Sequence, residues 1–365
     1  MRVSELVKYL DNEFPLSLQE SYDNCGLQVG DGNIEISGVL LAIDVVEATL
    51  DEAVEKGCNF ILCHHPLIFK GVKRIAGKNY IERILHKAIK CDIAIYAAHT
   101  NADKIIGGVS YKMAEKLSLV NVVPLEAENE QVYKVVVYVP VADKQKVSDA
   151  VYANGGGTIG AYDCCSFSVD GAGTFKANDG CHPYVGNIGE IHEEKESRVE
   201  YVVSRRNLSK VLSAIDEAHP YEEPAIDVIR LENSIVAAGM GVVGDLETPV
   251  APMEFLKRVK ETFRCEMLKY TDIDKTDAIR RVALCGGSGS DMVGLAKRSG
   301  ADILVTGDMK YHQFFDSYDG PIIADIGHYE SEQYTKEIFF NVLSKNNIKF
   351  AVQNSTIKSN PINYL

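Results

Sequence analysis

Three apolar runs in this chain break off at histidine. They are Phe60-Ile61-Leu62-Cys63 before His64-His65-Pro66, Ile95-Tyr96-Ala97-Ala98 before His99, and Ile322-Ile323-Ala324-Asp325-Ile326 before Gly327-His328. Short, continuous apolar runs mark strands buried on both faces, as when helices cover the two sides of a parallel sheet. The segments between them support this. Residues 48–58, 79–92 and 109–119 carry helical spacing in the first third, and residues 290–300, 309–318 and 329–346 do so in the last. Further strands are expected at 38–46, 280–287, 301–308 and 348–355. Strand and helix alternate, which predicts an α/β fold with a mostly parallel sheet.

The middle of the chain has a different order. A strand at 134–140, a helix at 143–155, a hairpin-like stretch at 162–178 with Asp170-Gly171 as its turn, then strand, helix and strand up to 233 read as a small α+β unit. The expected division is 1–130, an inserted unit at 131–232, and 233–365.

In parallel α/β sheets, ligands gather beyond the carboxyl ends of strands. Strand-end histidines far apart in sequence can therefore converge. His64 and His65 are adjacent and point in opposite directions on an extended backbone, so two ions would take one each. Asp103 follows His99 in a loop before Gly107-Gly108, where its two oxygens could bridge. His328 and Glu332 are spaced i, i+4, which places both on one helix face. Three imidazoles and two carboxylates suit two divalent cations, zinc first, with iron or manganese as alternatives. The surplus positive charge would lower the pKa of a shared water. His99 and His312 are expected to orient ligands or carry protons. Asp308 is either such a partner or a helix N-cap. His86 and His192 read as ordinary surface or core residues.

Other motifs are less specific. Gly239-Met240-Gly241-Val242-Val243-Gly244 matches a dinucleotide-binding spacing, but Pro249 follows where a helix should continue, so a tight turn near the metal pocket is expected instead. Gly286-Gly287-Ser288-Gly289-Ser290-Asp291 could present amides to a phosphate or simply join a strand to a helix. It lacks the Walker lysine. Glu20 to Leu27 could line a pocket or form a surface turn. His219-Pro220-Tyr221-Glu222-Glu223-Pro224 could ligate a metal, though its prolines favour a rigid loop.

Charge narrows the partners. A net charge of −14 and a pI of about 5.2 argue against nucleic acid and anionic membranes as partners. Nine cysteines without a C-x-x-C pair suggest free thiols in a reducing compartment. The first residues read as an amphipathic helix, and no apolar run approaches a membrane span of about 18 residues. A cytoplasmic protein is expected.

The segments HHP, HTNAD and GHYESE together resemble the NGG-interacting factor three-like family, also called type-two GTP cyclohydrolase-like. YDNCGLQVG at 22–30, GVVGDL and TGDMKYH extend the resemblance over both flanking thirds. It implies a two-lobed α/β domain, with His64, His65, Asp103, His328 and Glu332 as ligands of two metals. It also implies a toroidal homohexamer and a PII-like or CutA-like, ferredoxin-like insert. Where the family has an asparagine after its glycine pair, this chain has Val109. The family name carries a GTP cyclohydrolase reaction, which opens the purine imidazole ring and releases formate. The expected function is therefore a metal-dependent hydrolase of a nucleotide or phosphorylated small molecule. The competing reading is a non-enzymatic, metal-binding regulatory assembly.

Overall fold

Side chains alternate across a strand, so a strand covered on both sides must be apolar at every position. In the computed structural model, which describes residues 1–345 and 349–365, the strands Gly38–Ala42, Phe60–Cys63 and Ala94–Ala97 are buried throughout. They pair in parallel, Val39 opposite Phe60 and Phe60 opposite Ala94. Val39, Leu41, Phe60 and Leu62 pack with Leu6, Leu10, Phe14 and Phe339. Leu40, Ala42, Ile61 and Cys63 pack with Leu50, Ile84 and Leu85. The helices on these two faces are the amphipathic segments of the sequence. In Tyr80–Lys90, for example, the Asn79 side chain accepts from the Glu82 amide at 2.9 Å, and Lys87 and Lys90 occupy the last turn.

The chain divides into two compact units, Met1–Ala127 with Ala238–Leu365, and Glu128–Ala237. The first unit holds the sheet just described, edged by Gly26–Val29 on one side and Ala351–Asn354 on the other. Gly26–Val29 runs antiparallel to its neighbour, and the other strands pair in parallel. Strand Ala351–Asn354 therefore leaves its sequence neighbours to lie beside Gly38–Ala42. Those neighbours form a second parallel set, Ile279–Ser288, Ile303–Gly307 and Ile322–Asp325. The fold is mixed α/β with mostly parallel pairing, as the alternation predicts.

Several local expectations change. Residue 103 lies on a short helix, Thr100–Lys104, not in a loop: the His99 carbonyl accepts from the Ala102 and Asp103 amides, and the Asn101 side chain accepts from the His99 amide. The long helix expected at 329–346 is two helices, His328–Glu332 and Thr335–Ser344. Thr335 Oγ1 donates to the Glu332 carbonyl at 2.7 Å, and such side-chain bonds compete with the helical ladder. The expected end of this helix at 346 and the start of the next strand at 348 lie outside the described residues. Gly239, Gly241 and Gly244 sit inside the strand Ile226–Val250 and form no turn. Side chains there would run into the backbone of Glu126, Leu284 and Val120, so these glycines serve close strand packing.

The second unit pairs Val132–Pro140 with Glu196–Ser204, and Phe167–Lys176 with the other edge of Ile191–Ser204, all antiparallel. Helices Lys144–Ala153 and Arg205–Ala218 bury Val147, Val151, Leu208, Val211 and Ile215 against Val135, Val137, Val199 and Tyr201. Asp170-Gly171 makes no turn, because Ser197 donates to Asp170 across the pair and the ladder continues through both residues. Among the described residues no helix is long and apolar enough to cross a membrane.

Candidate metal centre

The carboxyl ends of the first unit's strands place His64, His65, His99, Asp103, His328 and Glu332 together. His64 and His65 follow Phe60–Cys63 directly. His99 precedes Thr100–Lys104, which carries Asp103. Gly327, with φ of 93°, turns the chain after Ile322–Asp325 so that His328 and Glu332 begin and end one short helix.

Each imidazole is held from behind. Nδ1 of His64 lies 2.8 Å from the Ala98 carbonyl, Nδ1 of His65 2.7 Å from Asp44, Nδ1 of His99 2.9 Å from Asp23, and Nδ1 of His328 2.7 Å from Asp308. These partners only accept, so each Nδ1 carries a proton and each Nε2 is the nitrogen turned inward. Asp23 is itself fixed by the Thr100 amide at 3.1 Å and by the Thr100 hydroxyl. Asp308 sits in the left-handed region, φ 56°, an uncommon conformation for a residue with a side chain.

The inward atoms fall into groups. Nε2 of His64 lies 3.7 Å from Asp103 Oδ1 and 3.5 Å from Glu332 Oε1. Nε2 of His65 and of His328 lie 2.9 and 3.2 Å from Glu332 Oε2. Ligand atoms of His64, Asp103 and Glu332 lie within 4.8 Å of one another, as do those of His65, His328 and Glu332, and those of His64, His65 and His99. Glu332 is common to two groups, whereas Asp103 belongs to one. His312 belongs to none. It is exposed on the 3-10 helix Tyr311–Asp319, beside the rings of Tyr311 and Phe315.

Would a cation fit here? Nε2 of His64, Oδ1 of Asp103 and Oε2 of Glu332 are buried without a hydrogen-bond partner. Unsatisfied buried polar atoms are costly, and here three converge. Nε2 of His65 and Nε2 of His328 face each other at 3.1 Å, both within 3.2 Å of Glu332 Oε2. The local field supplies the same answer. Burial disfavours a charged His65, yet Glu332 and Asp44 push its pKa up to about 10. Burial also opposes charge on His328, and Asp308 and Glu332 push it up to about 11. Burial works against a charged Glu332 too, but His64 and His65 hold it well below the ordinary carboxylate value. A site that stabilises this much positive charge on nitrogen suits a cation held by nitrogen and oxygen donors.

Two acceptors, Asp23 and Asp44, escaped the sequence reading as partners. Asp44 lies just beyond the carboxyl end of Gly38–Ala42, the same strand-end position that marks the histidines. The glycine loop also has a definite part. A side chain on Gly287, φ 62°, would strike Glu332, and the Gly286 and Gly287 amides donate to Ser110 and Ser331. Those two amides are thus committed within the protein instead of facing a phosphate.

The profile of the Duf34/NIF3 (NGG1p interacting factor 3) family matches residues 1–361. A Halalkalibacterium halodurans protein named GTP cyclohydrolase 1 type 2 homolog is 37% identical over 365 residues, 99% of this chain and 98% of its own. The crystal structure of a Bacillus cereus protein related to NIF3 superposes with a TM-score of 0.89 at 35% identity, covering 100% of this chain and 99% of that one. A Staphylococcus aureus crystal structure gives 0.73 at 30% identity, with 100% and 99% covered. A profile match over almost the whole sequence and relatives aligned end to end make this chain a member of the Duf34/NIF3 family.

Proposed function

We propose that the chain is a dinuclear metal-dependent hydrolase acting on a nucleotide or another phosphorylated small molecule. Opening of a purine imidazole ring with loss of formate is the form suggested by the relatives' name. The supporting observation is that two ligand groups share the buried Glu332 carboxylate. His64, Asp103 and Glu332 would hold one divalent cation, and His65, His328 and Glu332 the other. Zinc is the first choice for this donor set, ahead of iron and manganese. Two such cations supply Lewis acidity toward substrate and water.

The remaining steps fall to the chain's own residues. Asp44 and Asp308 fix the planes of His65 and His328, and the Ala98 carbonyl fixes that of His64. Asp23 holds the proton of His99 on Nδ1, which leaves Nε2 to take a proton from water as it attacks and to return it to the leaving group. His312 is exposed and belongs to none of the ligand groups, so its removal should cost less than that of His99. The same reading includes a toroidal homohexamer in the cytoplasm and a PII-like insert, supported by three antiparallel strands sharing a core with two helices.

Metal-loaded protein should turn over GTP or a member of a phosphoester panel, and Asp103→Ala should abolish that. Equal turnover by the variant would sink the assignment. Metal binding with no turnover on any substrate would leave the regulatory assembly as the function. Sedimentation tests the hexamer.

A further inference from the structure

The insert contains a cavity of about 440 Å³ that the metal chemistry does not use. Phe175, Tyr184 and Tyr221 wall it, and Glu196, Glu222 and Glu223 supply its charge. The ring of Tyr221 stands between the other two, 5.9 Å from Phe175 and 6.2 Å from Tyr184. Among the described residues no lysine or arginine lines it. Three of its residues belong to the segment His219-Pro220-Tyr221-Glu222-Glu223-Pro224, whose prolines and charges the metal centre leaves unexplained.

That segment is built as a brace. Nε2 of His219 donates to the Tyr138 carbonyl at 3.0 Å, and Nδ1 accepts from the Tyr221 amide at 3.1 Å. With both nitrogens engaged, His219 is no metal ligand but the post on which Tyr221 is set. The Tyr221 hydroxyl donates to Glu196 Oε1 at 2.9 Å. Glu196 can occupy this position because Gly173, on the paired strand and two residues along from the position opposite, has no side chain: a Cβ there would overlap Glu196 Oε2. The His182 amide lies 3.2 Å from both oxygens of Glu222. The Tyr221 ring and the carboxylates of Glu196 and Glu222 are thus held in place before any ligand arrives.

We propose that this cavity is a binding site for an organic ammonium ion. Aromatic faces carry negative electrostatic potential and attract a diffuse cation, and the carboxylates add attraction of the same sign. An anion would meet three glutamates and, among the described residues, no lysine or arginine in the lining. A bare metal ion would need several donor atoms converging at one point, and among the described residues every such group lies in the first unit. An uncharged apolar ligand would gain nothing from the carboxylates. The inference is independent of the hydrolase reading, since it concerns residues of the second unit alone.

Calorimetric titration of the full chain tests it with three probes: choline, its uncharged carbon analogue 3,3-dimethylbutan-1-ol, and 1,4-diaminobutane. Choline or the diamine should bind at least about tenfold tighter than the uncharged analogue, the factor expected of a desolvated cation over aromatic faces. Glu196→Gln and Gly173→Ala should each weaken that binding about tenfold, the second by displacing the carboxylate without removing it. Tyr221→Leu should reduce it further, while metal content stays at the parent level. Binding of neither cation more tightly than the uncharged analogue overturns the proposal, as does failure of both cations to bind. The parent protein alone decides between these outcomes, whatever the folding of the variants.

Discussion

The candidate metal centre and the insert both contain a buried histidine held by a hydrogen bond, and they use it in opposite ways. In the insert, His219 has a partner on each nitrogen, so the ring is satisfied and acts as a strut. In the first unit, His64 has a partner on Nδ1 only, and its buried Nε2 faces Asp103 and Glu332 without a hydrogen bond. Burial alone does not distinguish a structural histidine from a ligand. What distinguishes them is whether the second nitrogen is left open toward other open donors.

That contrast breaks first at Glu332. Glu332→Ala removes the carboxylate common to both groups, and metal content after dialysis should fall to near zero, whereas Asp103→Ala should retain part of it. Full retention in Glu332→Ala would end the shared-carboxylate picture. The next largest effect is expected from the acceptors behind the rings. Asp44→Asn or Asp308→Asn should lower metal affinity about 10- to 100-fold, as loss of such supporting bonds commonly does. Competition with a chelator would measure it, and parent-like affinity in both variants would remove the supporting role. Gly287→Ala comes third. It places a side chain in the left-handed region, at about 1–2 kcal/mol, and against Glu332, so both stability and metal affinity should drop. Parent-like values for both would show that the loop yields freely.

The fourth prediction sharpens the other side. His219→Ala leaves the Tyr138 carbonyl and the Tyr221 amide without this partner, so the protein should lose about 1–3 kcal/mol while its metal content is unchanged. Its pH dependence has a definite sign. Burial lowers the His219 pKa, against smaller effects of the Tyr138 carbonyl and nearby acids. The unfolded chain therefore takes up the proton first, and this residue's contribution is lost as pH falls below the ordinary value of 6.5. Thermal unfolding of parent and variant at pH 5 and 7.5 should show the larger acid-side loss in the parent.

Much of this was legible in the chain. Uninterrupted apolar runs revealed the parallel strands, because burial on both faces leaves no other pattern. Histidines at their carboxyl ends pointed to the cluster that the structure brings together, because strand ends are where a parallel sheet gathers ligands. Asp23 and Asp44 were not legible as partners, since an aspartate after a strand looks the same whether it meets water or an imidazole. Asp170-Gly171 misled for a related reason: local turn preference is weak beside a ladder that runs on through Gly171 to Lys176. The pairing of Ala351–Asn354 with Gly38–Ala42 could not be read at all, because nothing in a strand's own residues names a partner so distant in sequence.

That pairing makes the order of synthesis matter. Gly38–Ala42 leaves the ribosome long before Ala351–Asn354 is made, and at about 5–20 residues per second the interval is about 15–60 s. During that time a fully apolar strand has one unpaired edge, an inviting template for another chain. The Asp44–His65 bond lies just past the end of that strand, so a nascent chain must protect its unfinished sheet and its candidate ligands together.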